Sequence, residues 1–153
     1  MNTTVLTMPG AMLKRGFWLY VWRVTTDNGD VHYVGRTGDS SSPNAAPPYQ
    51  RMAQHLGRNK NNNTLRRNLE RRGIEPEQCS FELISVGPIF DEKTNMEEHT
   101  KPRDTVAALE KELACAMKAA GYDVINTISS KMVLDEDIWK KAKSAFSAHF
   151  PKL

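Results

Sequence analysis

The sequence has few cysteines and no long hydrophobic run, and each shortage excludes a class of protein. Two cysteines in 153 residues, Cys79 and Cys115, cannot build a zinc site by themselves and do not indicate a disulfide framework. The longest apolar run is too short to span a bilayer, and the basic residues near the N-terminus follow a broken apolar patch, unlike a secretory signal. We therefore expect a soluble protein in the cytoplasm, with reduced thiols and no membrane partner.

Acidic residues are scarce in one segment that is rich in basic residues. Between Arg51 and Arg72 the chain has seven Lys or Arg residues and one acid, Glu70, although the net charge of the whole chain is only +3. A basic stripe confined to one segment indicates contact with a phosphate backbone, and a solvated helix face is the alternative. The residues predicted to bind nucleic acid are Arg58, Lys60, Arg66, Arg67, Arg71 and Arg72.

Three segments have the composition of strands. Residues 17–24 are dense in aromatic and β-branched side chains, which favours a strand. Residues 27–30, Asp-Asn-Gly-Asp, predict a hairpin turn, because Asn-Gly accepts the positive φ that such turns require, and residues 31–34 return as the second strand. Gly35 ends that strand, where a missing Cβ would let another group approach the backbone closely. Residues 79–86 alternate as a third strand.

Helices are predicted at 49–56, 64–72, 104–120 and 135–150, with a long acidic loop at 87–103. This order predicts an α+β fold: a small three-stranded antiparallel sheet flanked by helices, with an added C-terminal helix. We expect an N-terminal arm (1–15), a main domain (16–130) and a C-terminal helical extension (131–153) packed on the same domain. The last helix serves either as a dimer surface or as part of the core.

A few polar residues stand out for their positions in these elements. Glu110 lies at the margin of its helix's apolar stripe, where a carboxylate is costly unless an arginine or a hard cation such as Mg²⁺ pairs with it. Tyr20 and Tyr33 lie on the two strands of one hairpin, so their hydroxyls could converge. Arg51 and His55 are helix neighbours at i, i+4. Taken singly, each also fits an ordinary surface or packing role.

Together these residues resemble the GIY-YIG nucleases. Leu19-Tyr20-Val21-Trp22 resembles the first motif of that family, with Trp18 where the family usually has glycine. Tyr33-Val34-Gly35 matches the second motif closely. The resemblance covers about residues 16–126, and the loop before the helix arginine is longer than in compact members. The residues that follow in family order are Arg51, His55, Glu110 and Asn126.

The resemblance implies a metal-dependent endonuclease that hydrolyses duplex or branched DNA by a single displacement with water. Glu110 would bind one Mg²⁺ or Mn²⁺ ion, Arg51 would stabilise the transition state, and Tyr20, Tyr33 or His55 would deprotonate the water. The residues that it places in the catalytic site are Tyr20, Tyr33, Arg51, His55 and Glu110, with Gly35, Arg36 and Asn126 in supporting roles.

Two other readings stay open. The first is a non-catalytic nucleic-acid-binding module that keeps the same fold and basic stripe. The second is a protein-interaction domain whose arginine-rich helix is incidental. Homodimerisation would decide whether an enzyme of this kind cuts one strand or two, and the sequence leaves the cleavage specificity open as well.

Overall fold

The three strands form one antiparallel sheet in the order β2-β1-β3. The structure, a computed structural model, describes residues 1–59 and 61–153, so the predicted contact at Lys60 lies outside the described residues. The predicted α+β class and the three-stranded antiparallel sheet are confirmed. The elements in chain order are a 3-10 turn (Gly10–Leu13), β1 (Phe17–Thr26), β2 (Gly29–Arg36), α1 (Pro48–Leu56), α2 (Thr64–Arg71), a second 3-10 turn (Pro76–Gln78), β3 (Ser80–Phe90), α3 (Met96–Ala119) and α4 (Glu136–Ser147).

The central strand, β1, is buried on both faces. Successive side chains of a strand point to opposite faces, so the β1 residues divide between two hydrophobic clusters. The first cluster lies between the sheet and helices α3 and α4, and the second lies between the sheet and helices α1 and α2. The β1 members are Phe17, Leu19 and Val21 in the first cluster, and Tyr20, Trp22 and Val24 in the second.

Helices α3 and α4 pack their apolar sides into the first cluster, within the same chain. Trp139, Ala142 and Phe146 of α4 are buried in the first cluster, so these side chains belong to the core. Both cysteines are free thiols. Across residues 1–59 and 61–153, no helix is both long enough and apolar enough to cross a membrane.

The predicted loop from 87 to 103 is wrong, because its two ends belong to β3 and α3. The predicted helix start at Asp104 is wrong for the same reason, since α3 begins eight residues earlier. Asn95 caps α3, and its side chain accepts a hydrogen bond from the Glu98 backbone N–H at 2.9 Å. Pro102 lies inside the helix and is buried. Asp104 is also a residue type that favours the N-cap, so the sequence pattern places the start there.

The segment after α3 covers the outer edge of β2. The His32 N–H donates to the Asp123 carbonyl at 2.7 Å, and the His32 carbonyl accepts from the Ile125 N–H at 2.8 Å. The Asn126 side chain continues this pairing, because its oxygen accepts from the Val34 N–H at 3.0 Å and its amide donates to the Val34 carbonyl at 2.7 Å. Four backbone groups along the edge are therefore satisfied.

Candidate active site

One cleft of about 410 Å³ brings together the five residues predicted to be catalytic. They come from elements on both sides of the sheet, because α1 packs on one face and α3 packs on the other. They are up to ninety positions apart in the sequence, and folding brings them into the same cleft. The five residues are Tyr20 from β1, Tyr33 from β2, Arg51 and His55 from α1, and Glu110 from α3.

Tyr20 and His55 form a buried hydrogen-bonded pair. The Tyr20 Oη and His55 Nε2 atoms are 2.7 Å apart, and the two residues are 1% and 4% exposed. Burial, helped by the charge of Arg51, lowers the pKa of His55 to about 4, so the imidazole is neutral at pH 7. Burial also raises the pKa of Tyr20 well above its usual range. The hydrogen bond therefore joins two neutral groups.

Gly35 allows this pair to form. It lies directly opposite Tyr20 across the β1–β2 ladder, and the tyrosine ring lies over its backbone. A Cβ on Gly35 would lie 2.5 Å from both Cζ and Oη of Tyr20, far inside the usual contact distance. The group predicted to approach the backbone of this glycine is therefore the Tyr20 ring.

Tyr33 lies beside the same imidazole. Its ring centroid is 5.1 Å from that of His55. Burial raises the pKa of Tyr33 to about 12, the charge of Glu110 adds to this effect, and Arg51 opposes it. Tyr33 is therefore a hydroxyl at neutral pH, and it would need an additional positive charge nearby to act as a base.

Arg51 takes part in no ion pair within the described residues, because no carboxylate oxygen there lies within 4 Å of its guanidinium nitrogens. Its NH1 group donates to the Gln54 side-chain oxygen at 2.9 Å, and its buried Nε has no hydrogen-bond partner within the described part of the structure. A guanidinium of this kind, next to buried neutral groups, suits an oxyanion such as a phosphate.

Glu110 pairs with Arg36, as its position at the edge of the apolar stripe requires. The Arg36 Nε donates to the Glu110 Oε2 at 3.1 Å, and the Arg36 NH1 donates to the Gly38 carbonyl at 2.8 Å. Burial nevertheless raises the pKa of Glu110 to about 7, although Arg36 and Arg51 oppose the shift. The ionised carboxylate is therefore under-compensated, which favours a further cation beside it.

Glu110 is the catalytic-site candidate that could hold a metal ion in the cleft. No group of three or more His, Cys, Asp or Glu side chains within residues 1–59 and 61–153 is arranged to hold a metal ion. Mg²⁺ commonly keeps several waters and takes one or two carboxylates together with substrate phosphates. Glu110 offers one under-compensated carboxylate next to the charge of Arg51, which matches that mode of binding.

A second hollow, of about 620 Å³, gathers most of the predicted basic residues, and we call it the basic groove. Residues 61, 62 and 64 line the cleft and Asn63 lines the basic groove, so the two hollows adjoin along one short stretch of chain. The residues lining the basic groove are Arg58, Asn63, Arg66, Arg67, Glu70 and Arg71.

The basic residues differ in how far they are already engaged. Arg66 is held by two carboxylates, with its Nε 2.9 Å from Glu70 and its NH2 2.5 Å from Glu77. Arg72 does not line the groove, and its NH1 is 2.7 Å from an Asp123 oxygen. Within the described residues, Arg67 and Arg71 take part in no ion pair. The groove cations available to a ligand are chiefly these two.

Sequence reasoning missed several polar residues of the cleft. They come from the two tracts that flank α1, which the sequence shows only as a Ser/Pro-rich loop and an Asn-rich connector, and from the first residue of α2. The additional lining residues include Asp39, Ser40, Ser41, Asn61, Asn62 and Thr64. Their polarity next to a predicted site helix was a usable signal.

The chain was compared with family models, with curated proteins and with solved structures, and none of them matches it.

Proposed function

We propose that this protein is a metal-dependent endonuclease that hydrolyses DNA phosphodiester bonds in the cleft. One observation carries this function: Tyr20, Tyr33, Arg51, His55 and Glu110 line a single cleft that adjoins the basic groove. These are the residues that the GIY-YIG resemblance names, and tyrosine, histidine, arginine and carboxylate together suit phosphodiester hydrolysis. Such a substrate would be met inside the cell, so a cytoplasmic location belongs to the proposal.

Charge stabilisation would fall to Arg51 and Glu110. The Arg51 guanidinium would bind the scissile phosphate. It would not have to break an ion pair to do so, because its side-chain partner is the neutral Gln54. Glu110 would hold the Mg²⁺ or Mn²⁺ ion, which when bound neutralises phosphate charge and stabilises the leaving 3′ oxygen. Arg36 would keep the Glu110 carboxylate in place, because it is anchored at Gly38 on its other side.

Proton transfer would run through the Tyr20–His55 pair. The neutral His55 would accept the Tyr20 proton at Nε2 while Tyr20 accepts a proton from the attacking water. The water oxygen then forms its bond to phosphorus as the bond from phosphorus to the 3′ oxygen breaks. The negative charge of the arriving phosphate raises the pKa of the imidazolium, so His55 becomes a better base when substrate is bound.

Conversion of supercoiled plasmid to nicked or linear forms, in Mg²⁺ or Mn²⁺, tests this function. Glu110→Gln should lower the rate by about 10²-fold or more, the usual scale for losing one preorganised electrostatic group. Glu112→Gln is the matched control, because Glu112 lies on the same helix and does not line the cleft. Equal cleavage by the parent and Glu110→Gln would show that the activity comes from elsewhere.

Two tyrosine variants test the proton path. Tyr20→Phe should lower the rate more than Tyr33→Phe, because the Tyr20 hydroxyl is the one hydrogen-bonded to His55. Full activity in Tyr20→Phe would remove this hydroxyl from the mechanism.

The alternative, a non-catalytic nucleic-acid-binding module, draws support from the Arg36–Glu110 pair, which already occupies the carboxylate. A gel shift of duplex or branched DNA without cleavage in either metal would favour this alternative. Binding that is indifferent to salt would instead favour a protein-interaction role, since phosphate contacts weaken as salt rises. Sedimentation of the parent with and without DNA would show whether a homodimer forms.

A further inference from the structure

The cleft continues past Glu110 into a recess of about 400 Å³ on the side away from the basic groove. Cleft and recess share Arg36, Ser40 and Glu110. The groove is built on α2 and the recess on α3, and these helices pack on opposite faces of the sheet. Groove, cleft and recess therefore form one continuous trough with Glu110 near its middle.

The recess carries hydroxyls and a cation that the candidate active site does not use. Ser129, Ser130 and Lys131 line it, and Lys131 takes part in no ion pair across the described part of the chain. The Lys111 Nζ donates to the Ser130 carbonyl at 2.9 Å, so this stretch is anchored to α3. Hydroxyl and ammonium donors in a shallow hollow match the requirements of a phosphate.

The other charges of the recess leave Lys131 as its available cation. Arg103 also lines the recess, but its guanidinium is 2.8 Å from the Asp104 carboxylate. Arg36 is paired with Glu110 in the same way. An anion entering the recess would therefore meet Lys131 without displacing an internal partner.

The opposite end of the trough has a matching arrangement. Thr64, Arg67 and Arg71 follow one another at i, i+3 and i+7, so they lie on one face of α2 that leads out of the cleft. Arg67 and Arg71 are about 6 Å apart along the helix axis. One strand of duplex DNA carries a charge about every 3.4 Å of its axis, so the two arginines, about two such steps apart, can each meet a different phosphate of one strand.

We propose that a nucleic-acid strand lies along the whole trough, with phosphates on one side of the scissile bond at Arg67 and Arg71 and a phosphate on the other side at Ser129, Ser130 and Lys131. This strand path rests on the proposed nuclease function. Contacts on both sides would fix which phosphate lies over Glu110, whereas contacts on one side alone would let the strand slide.

The dependence of binding on salt tests the path without any metal. A fluorescent DNA duplex is titrated with the parent, Lys131→Gln and Arg67→Gln between 50 mM and 200 mM salt, in buffer containing a chelator. Each lost phosphate contact should lower the magnitude of the log–log slope by about 0.9. The ratio of parent to variant affinity should then shrink about 3.5-fold across this salt range. The double variant should lose both increments, because the two sites are separate.

The matched control is Lys141→Gln on α4, which does not line the trough. It should keep the parent's slope, and thermal unfolding should show that all four variants, the double variant included, are folded. A parent slope in Lys131→Gln, with a reduced slope in Arg67→Gln, would overturn the strand path while leaving the nuclease function intact. A parent that neither binds nor cleaves DNA would overturn both.

Discussion

Replacing Gly35 with alanine should disrupt the Tyr20–His55 pair and leave the rest of the fold in place. The added Cβ would lie 2.5 Å from Cζ and Oη of Tyr20, and closer still to Cε2. An ordinary contact begins near 3.4 Å, so the ring must move by about 1 Å. Tyr20 is 1% exposed and lies in the second cluster with Leu65 and Leu69, so the ring has little free space to enter.

The cost of Gly35→Ala follows from this conflict. Overpacking a well-packed core typically costs about 1–3 kcal/mol. For a chain of this size, each kcal/mol lowers the melting temperature by roughly 2–4 °C. A displacement of about 1 Å within a catalytic group can lower the rate by about 10²-fold. We therefore expect activity to fall much further than stability in this variant.

Thermal unfolding followed by circular dichroism, together with plasmid cleavage at a temperature where both proteins are folded, measures the two effects. Gly10→Ala is the control, because a Cβ at Gly10 meets nothing within 4 Å. Adding Tyr20→Leu to Gly35→Ala should recover most of the stability, since leucine lacks the ring atoms in conflict. A Gly35→Ala protein with the parent's melting temperature and activity would refute this account.

Three further outcomes follow from burial and hydrogen bonding. Burial sets the folded pKa of His55 near 4, below its ordinary value of 6.5, so this residue should remove on the order of 3 kcal/mol of stability as pH falls from 6.5 to 4. Urea unfolding of His55→Gln should lack that loss, and an unchanged acid profile would contradict it. The folded pKa of Glu110 is raised to about 7. The contribution of this residue to the free energy of unfolding is therefore fully present below about pH 4.5 and is lost as pH rises through 7. Without metal, the free energy of unfolding of Glu110→Gln relative to the parent should therefore be higher at pH 8 than at pH 5. An equal difference at the two pH values would count against this. Asn126→Ala should cost about 1–3 kcal/mol, because two hydrogen bonds to Val34 are lost. Asn126→Asp should be no better in denaturant unfolding, since its second oxygen would face the Val34 carbonyl.

Much of the fold could be predicted because local patterns and tertiary packing agree. Side chains alternate between the two faces of a strand, so the strand predicted at 17–24 has Tyr20 and Trp22 on one face, and the structure buries both in the second cluster. The hairpin turn was predicted at 27–30, and the ladder closes there between Thr26 and Gly29. The expected positive φ is found at Gly29 but not at Asn28, because Asp27 and Asn28 form the turn and Gly29 already belongs to β2. The start of α3 was misplaced because Asp104 is a residue type that favours the N-cap, whereas the actual cap is Asn95, which accepts from the Glu98 N–H. Pro102 lies inside the helix and does not end it.

The candidate site was predictable in its residue types and less so in its pairings. The position of Glu110 at the margin of an apolar stripe correctly required a partner, but the sequence does not say which arginine. The structure chooses Arg36, since β2 and α3 meet where the strand ends. The run of basic residues likewise gave no way to separate Arg66 and Arg72, which are held by carboxylates, from Arg67 and Arg71.

The covered edge of β2 also bears on how this protein behaves at high concentration. An open strand edge with free N–H and C=O groups can pair with another chain and seed aggregation. Here the edge groups of His32 and Val34 are already satisfied within the same chain. The part of the edge on either side of Tyr33 is thereby closed to strand addition from outside. Loss of the Asn126 side chain would free the Val34 groups, so this asparagine guards against misassembly as well as holding the strand in place.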